Sequence, residues 1–561
     1  MSEQGVKRNQ RPGFWMGVWI GLLVISPIVA LFFLADVVFG LPLVPLDVID
    51  WAARNLPGNL LTAGIDAIVR TNDTLNLGRT DVVAKTIEQL MGVASVVIAA
   101  MLIGGVLYVL LRRRHDRTLN LPLGALAGVV LGLPLALMSG ATNFTATTPP
   151  ALNFVYILLM FVAWGAAVAW IYNDLTTIHS KSGDVSVAQL NRRQFLVRVG
   201  GVAATLTVVG GGLSVLLGGR ESTPLPAPSG DKAAANPTPA PTRTPNPNSA
   251  ASRVERSAFI DDLVPAQGTR PEYTPISQHY RIDIAARPPI IEEEDWVLPI
   301  TGMVDNPLTL TLEDLRTRYE PRDQIVTLSC ISNLIGGDLI STTRWTGVSL
   351  QTILEEAQVS PSARALLIKG ADGFDEYVDL ALIKQDERIM LTYAWDGQPL
   401  AEKHGFPLRI WIPDLYGMKQ PKWITSIEVV DAVGEGYWVR RGWSFEARVN
   451  TTSVIDTVSV DEVYEQDGQT FVPLGGIAYA GARSIARVEV RMDDGEWVEA
   501  QLKTPLSDTA WVIWRYDWPF ESGPHAFEVR AVDGVGVPQV EARRDVRPDG
   551  ATGIHRMGAR L

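Results

Sequence analysis

Cysteine is almost absent: Cys330 is the only one in 561 residues. That excludes an intramolecular disulfide, a zinc ribbon and a cysteine-ligated iron–sulfur cluster. Histidine is scarce, with six residues. No Cys-x-x-Cys-His motif occurs, which excludes that route of haem attachment. His115 and His179 lie between apolar runs rather than within them, so no membrane haem held by two histidines is expected. A long basic stripe is also missing, and acidic residues outnumber basic ones by 61 to 49. Nucleic acid, whose phosphates demand clustered Lys and Arg, is therefore not an expected partner. Apolar residues are abundant: 47% of the chain is hydrophobic and the mean hydropathy is positive, which points to lipid-buried helices.

Charge-free apolar runs cover 14–35, 91–111, 118–173 and 199–219. A span needs roughly 20 apolar residues, so the third run reads as two spans hinged near 139–150, where Asn143, Pro149 and Pro150 break the helix. The expectation is an all-α membrane anchor of five helices over residues 1–220. Basic residues cluster at Lys7, Arg8 and Arg11, at Arg112, Arg113, Arg114 and Arg117, and at Lys181, Arg192, Arg193 and Arg198. With five spans all three clusters fall on one side, which places the N-terminus in the cytoplasm and the chain after Gly219 outside. Residues 41–90 mix Asp47, Asp50, Arg54, Asp66 and Arg70 with leucines and Trp51, which predicts an amphipathic segment lying on a surface. Asn191-Arg192-Arg193-Gln194-Phe195-Leu196 precedes a glycine-rich span and resembles a twin-arginine export signal. Residues 221–252 are rich in Pro, Thr and Ala and predict an extended tether.

Beyond the tether, residues 253–449 mix strand and helix periodicities, as an α+β domain does. Strands are expected over 296–304, 325–330, 365–369, 389–394 and 408–412, with a capped helix at 311–318 and another at 348–357. Residues 450–548 change to short β-rich runs separated by turns such as Asp493-Asp494-Gly495, with Trp497, Trp511, Trp514 and Trp518 among them. That spacing predicts an Ig-like β-sandwich, leaving 549–561 as a tail.

Cys330 ends an apolar strand. A soft thiolate there could hold a transition metal, although the commonest fate of a free cysteine is a small buried hydrophobe. Its surroundings decide between the two. Cys330-Ile-Ser-Asn333 is followed by Ser341-Thr-Thr-Arg344-Trp-Thr-Gly347, and a second block reads His404-Gly-Phe-Pro-Leu-Arg409, then Tyr416-Gly-Met-Lys419-Gln-Pro-Lys422-Trp423. These two ordered blocks resemble the sulfite oxidase family of molybdopterin-dependent oxidoreductases, over roughly 274–546.

The resemblance implies a molybdenum–molybdopterin cofactor, with Cys330 as the metal's protein ligand. It implies that His404, Arg409, Lys419 and Lys422 grip the pterin and its phosphate, cations and donors being what a buried phosphate needs. Gly417 would allow close backbone approach. Asn333 and Arg344 would touch the cofactor or orient its loop. Tyr377 falls near the family's active-site tyrosine, and Tyr280 and Arg281 match the cofactor-binding segment before its first strand, where Arg281 would meet the cofactor or an anionic substrate. It implies, finally, a small substrate (an oxyanion or an S-oxide), a separate electron-transfer protein such as a cytochrome, and a homodimer through the Ig-like domain. One departure weakens the case for sulfite. The position after Asn333, commonly arginine in sulfite oxidases, is Leu334. A rival from another class is a non-catalytic cell-surface binding protein, which would hold no molybdenum.

Overall fold

The computed structural model describes residues 11–75, 77–114, 116–142, 148–181, 185–218 and 256–561. The tether at 221–252 lies outside the described residues, as do the side chains of Arg192 and Arg193. The chain divides into two compact units: residues 1–55 with 85–250, and residues 56–84 with 251–561.

The first unit is helical. Its helices are α1 (Phe14–Phe39), α2 (Val44–Asn55), α5 (Asn120–Thr142), α6 (Pro150–Lys181) and α7 (Val185–Gly218). Helix α3 (Gly58–Leu75) falls in the second unit, and α4 (Thr80–Arg112) begins there. Among the described residues four helices, α1, α4, α5 and part of α6, are long and apolar enough to cross a membrane; a shorter apolar stretch, Val197–Leu213, lies within α7. Small residues set the closest helix packing. A side chain at Gly124 would place its Cβ 2.4 Å from the carbonyl oxygen of Gly165, so α5 and α6 touch backbone to backbone. The segment 41–90 is not one surface-lying piece. Its first part, α2, is buried within the first unit: Asp47 is 2% exposed, and Ser139 donates to its carboxylate at 2.6 Å. A buried carboxylate survives there because a hydroxyl answers it.

The second unit holds four sheets. Strands Pro321–Ser329, Ile340–Ser349, Met390–Trp395 and Arg409–Trp411 form an antiparallel sheet, with Gln398–Pro399 at one side. Strands Leu308–Leu310, Leu298–Gly302, Ile424–Val430, Ala365–Gly370 and Asp375–Asp379 form a mixed one. Both sheets share one apolar core, in which Leu298, Ile300, Leu391, Ile410 and Ile427 are buried. The helix Leu312–Thr317 starts with a capping box between Thr311 and Asp314, as the Thr-Leu-Glu-Asp run predicts.

The remaining sheets also face one another. Strands Thr452–Val458, Gln469–Tyr479 and Val512–Pro519 pack against Ile485–Met492 and Pro524–Asp533 through Val472, Leu474, Val488, Trp514, Phe527 and Val529. Two segments differ from the sequence expectation. Phe259–Ile260 joins this pair of sheets, running parallel to Gln501–Lys503, although it precedes the central sheets in the chain. The last residues are no tail: His555–Arg560 pairs with Pro524–Asp533. Both lie on exposed edges, where backbone pairing rather than apolar alternation fixes them.

Candidate active site

Cys330 follows directly on strand Pro321–Ser329, and the loop that it opens is closed by three bonds. Cys330 N–H donates to the Leu339 carbonyl at 2.9 Å, Asn333 N–H to the Cys330 carbonyl at 3.1 Å, and Leu339 N–H to Asn333 Oδ1 at 2.9 Å. Asn333 thus staples the loop. The thiol is 7% exposed and lies 3.0 Å from Ser332 Oγ. Burial raises its pKa, while the Ser332 hydroxyl and nearby backbone N–H groups pull it down. The buried cluster it belongs to includes Tyr280, Leu328, Leu339 and Trp345, aromatic as well as aliphatic.

Beside it stands a cluster the sequence only half disclosed. The ring of His279 lies 5.5 Å from those of Trp395 and His404 and 5.7 Å from that of Trp345. Arg409 lies with its guanidinium carbon 4.5 Å from the Trp345 ring, and donates to the His404 carbonyl at 3.0 Å. Burial is the largest cause of every shift here. It holds His279 down to about 3 and Arg409 down to about 10, and depresses His404 strongly; adjacent cations add to the effect on both histidines.

Among the described residues, three polar atoms of this cluster are buried without a hydrogen-bond partner: His279 Nε2, Arg409 Nε and Trp345 Nε1. Native interiors rarely leave such groups unanswered. Nδ1 of His279 lies 3.0 Å from the Tyr280 carbonyl, so it carries the proton, and Nε2 of the neutral ring is an acceptor. An acceptor beside two N–H donors suits a polar heterocycle carrying an anionic tail. Among the described residues no three His, Cys, Asp or Glu side chains converge, so a metal here would draw most of its ligands from a cofactor. The residues present fit molybdopterin on both counts.

The other expected residues divide. Lys422 is buried, 2.8 Å from Asp283, which also pairs with Arg281 at 2.8 Å. Gly417 approaches the cluster closely: an added Cβ would lie 3.2 Å from the Tyr280 hydroxyl. Tyr280 is buried, and burial raises its pKa far above that of an ordinary phenol. Lys419 instead makes a buried pair with Glu376 at 2.8 Å. Tyr377, next to Glu376 on the strand Asp375–Asp379, is half-buried with its ring against Gly434. Arg344 is exposed on its strand, on the face opposite Trp345. Sequence reasoning missed His279, Asp283, Trp345 and Trp395 as members of the cluster. Trp345 sits inside a quoted motif and His279 and Asp283 lie close to Tyr280 and Arg281, whereas Trp395 has no such signal.

Residues 285–438 match the oxidoreductase molybdopterin binding domain, and residues 444–547 the Mo-co oxidoreductase dimerisation domain. The chain thus carries the two domains of a molybdenum-dependent oxidoreductase and is similar to the sulfite oxidase family. Its relatives include the nitrate reductase [NAD(P)H] of Hordeum vulgare, 28% identical over 43% of this chain and 33% of that one. Mitochondrial sulfite oxidase of Homo sapiens is 28% identical over 44% of this chain and 53% of that one. The chain thus spans between a third and about half of these relatives. The sulfane dehydrogenase SoxCD of Paracoccus pantotrophus aligns with a TM-score of 0.45 and 21% identity, covering 55% of this chain and 88% of that one. The molybdopterin binding domain and these relatives imply a molybdenum–molybdopterin cofactor.

Proposed function

We propose that the chain is a membrane-anchored molybdopterin oxidoreductase that transfers an oxygen atom to or from a small substrate. One observation carries this reading: a lone strand-end thiol lies in the same buried cluster as Tyr280 and Trp345, beside orphaned polar atoms of His279, Arg409 and Trp345. When bound, molybdenum supplies two-electron chemistry and oxygen-atom exchange. The chain's residues do the rest. Cys330 would hold the metal as its thiolate ligand. Arg409 and Lys422 answer the phosphate, and neutral His404 and His279 meet the pterin's polar edge. Asn333 fixes the Cys330 loop. Lys419, held by Glu376, supports the site from behind, and Arg344 acts on the loop from the outer face. Two phenols compete as proton donor, Tyr377 by its place in the family's motif order and Tyr280 by its proximity to Cys330.

The anchor has five spans, with α7 contributing the fifth, and the positive-inside rule puts the oxidoreductase unit outside the cytoplasm. Arg192 and Arg193 direct its export as a folded, loaded domain. Electrons pass to or from a separate protein such as a cytochrome, and the Ig-like C-terminal region pairs two copies.

A second reading concerns direction. Asp283 pairs with both Arg281 and Lys422 and offsets one of their two charges, and Leu334 adds no further one. With those two cations already engaged by Asp283 and no arginine at position 334, the site favours a neutral S-oxide, reduced by a sulfoxide-reductase-type reaction, over a free oxyanion. The test is turnover with an artificial electron carrier. Wild type should hold molybdenum and turn over, and Cys330→Ser should keep its fold and pterin while losing turnover. Full activity in Cys330→Ser rejects the reading.

A further inference from the structure

Residues 56–84 match neither family domain, yet they belong to the same compact unit as the candidate site. Helix α3 is fastened to the C-terminal region by Arg70 on Asp545 at 2.5 Å and by Asp66 on Arg547. Asn72 then ties down the turn that follows, donating to the Gly78 carbonyl at 3.0 Å. This delivers three consecutive residues to two loops of the site. The backbone N–H of Thr80 donates to Asp338 at 2.9 Å, on the loop that Cys330 opens. The carboxylate of Asp81 accepts the backbone N–H of Arg281 at 2.9 Å. Arg79 grips that same carboxylate through two nitrogens, at 3.2 and 2.9 Å. The Asp81 side chain is only 6% exposed.

Asp81 lies in the first turn of α4, where an acidic residue also favours the helix N-terminus. That role would need neither a buried carboxylate nor a bond to Arg281. Beyond Arg281 the charges alternate: its guanidinium pairs with Asp283, and Asp283 in turn holds Lys422. Asp81 therefore closes a network that runs from Arg79 through the Arg281 loop to Lys422. The electrostatics agree: Arg79 is among the cations that depress His279, and Asp81 among the anions that raise Tyr280.

We propose that Arg79, Thr80 and Asp81 are positioning residues of the site, holding the Cys330 loop and the Arg281 loop in register and so setting substrate affinity through Arg281. The proposal rests on the functional reading above for its substrate term, but its structural term stands alone. The test uses the full chain in detergent, as wild type, Asp81→Asn, Asp81→Glu and Arg79→Gln. Amide hydrogen exchange of the peptide 276–285 needs no cofactor. Loss of one charge-assisted hydrogen bond should speed it about tenfold in Asp81→Asn, with partial recovery in Asp81→Glu. With sulfite and dimethyl sulfoxide as probe substrates, and rates expressed per bound molybdenum, Asp81→Asn should raise KM about tenfold at nearly constant kcat. Arg79→Gln, which leaves the Arg281 bond in place, should shift both readouts the same way by less, and it decides the matter if Asp81→Asn fails to accumulate. Unchanged exchange in these variants overturns the proposal, as does a fall in kcat at constant KM. Wild type without molybdenum would reject the functional reading, while the exchange data would still decide the positioning role.

Discussion

Lys422 Nζ lies 2.8 Å from Asp283 Oδ2, and both side chains are almost fully buried. Burial lowers the lysine's pKa and Asp283 raises it, so the aspartate is what keeps the cation charged. The same carboxylate holds Arg281. Asp283→Asn leaves two cations with one fewer anion between them. It should tighten inhibition by sulfate about tenfold and weaken selection for neutral substrates, a charge change at this depth being poorly screened. Inhibition constants at fixed ionic strength check this; an unchanged constant would place Asp283 away from the substrate.

Arg409 is the cation most committed to the cluster, buried against Trp345 with one nitrogen unanswered. Arg409→Ala removes a guanidinium that a bound phosphate would need, and should lower retained pterin at least about tenfold. Fluorescence of the released, oxidised pterin measures it. Retention equal to wild type would assign Arg409 to packing alone.

His279 and His404 bear on acid stability. Both are held neutral in the folded, cofactor-free chain, with pKa values below the ordinary ~6.5. Below that value the unfolded chain takes up protons and the folded one does not. Their contribution is therefore complete at neutral pH and is lost as pH falls, by about 1.4 kcal/mol per pH unit for each histidine. Melting of the cofactor-free full chain should show a midpoint that drops from pH 7 to pH 5, and His279→Gln should flatten the drop. An unaltered pH dependence in that variant would contradict the burial argument.

Export is carried by Arg192 and Arg193 in the account proposed above. Changing both to Lys preserves the positive charge and removes the guanidinium pair. The oxidoreductase unit should then stay inside, protected from protease added to intact cells. Normal protease access would reduce the motif to ordinary positive-inside charge.

Much of the fold was legible because local rules and tertiary packing agree. The strand expected at 365–369 is observed as Ala365–Gly370, a short apolar run. The break at Pro149 and Pro150 separates α5 from α6, as a helix-breaking pair should. Residues 41–90 misled because charge beside leucine has two meanings. Asp47 meets Ser139, and Asp66 and Asp81 meet Arg547 and Arg79; each is satisfied by protein rather than by a membrane surface or water. Most of these pairings join residues far apart in the chain, and periodicity does not record them.

The site was legible where a motif keeps its residues together in sequence. His404 and Arg409 lie five apart and share one hydrogen bond. His279, Trp345 and Trp395 are drawn in from three separate segments, and only the fold brings their rings together. Lys419 has a partner that its motif does not disclose: its place in the motif suggests a cofactor contact, and its nitrogen is held by Glu376.

X-ray absorption at the molybdenum edge tests the central claim most directly, with wild type and Cys330→Ser compared as purified full chains. The account predicts stoichiometric molybdenum in wild type, and one sulfur fewer around the metal in the variant. A wild-type chain without molybdenum, or a sulfur shell unchanged by the substitution, would contradict it.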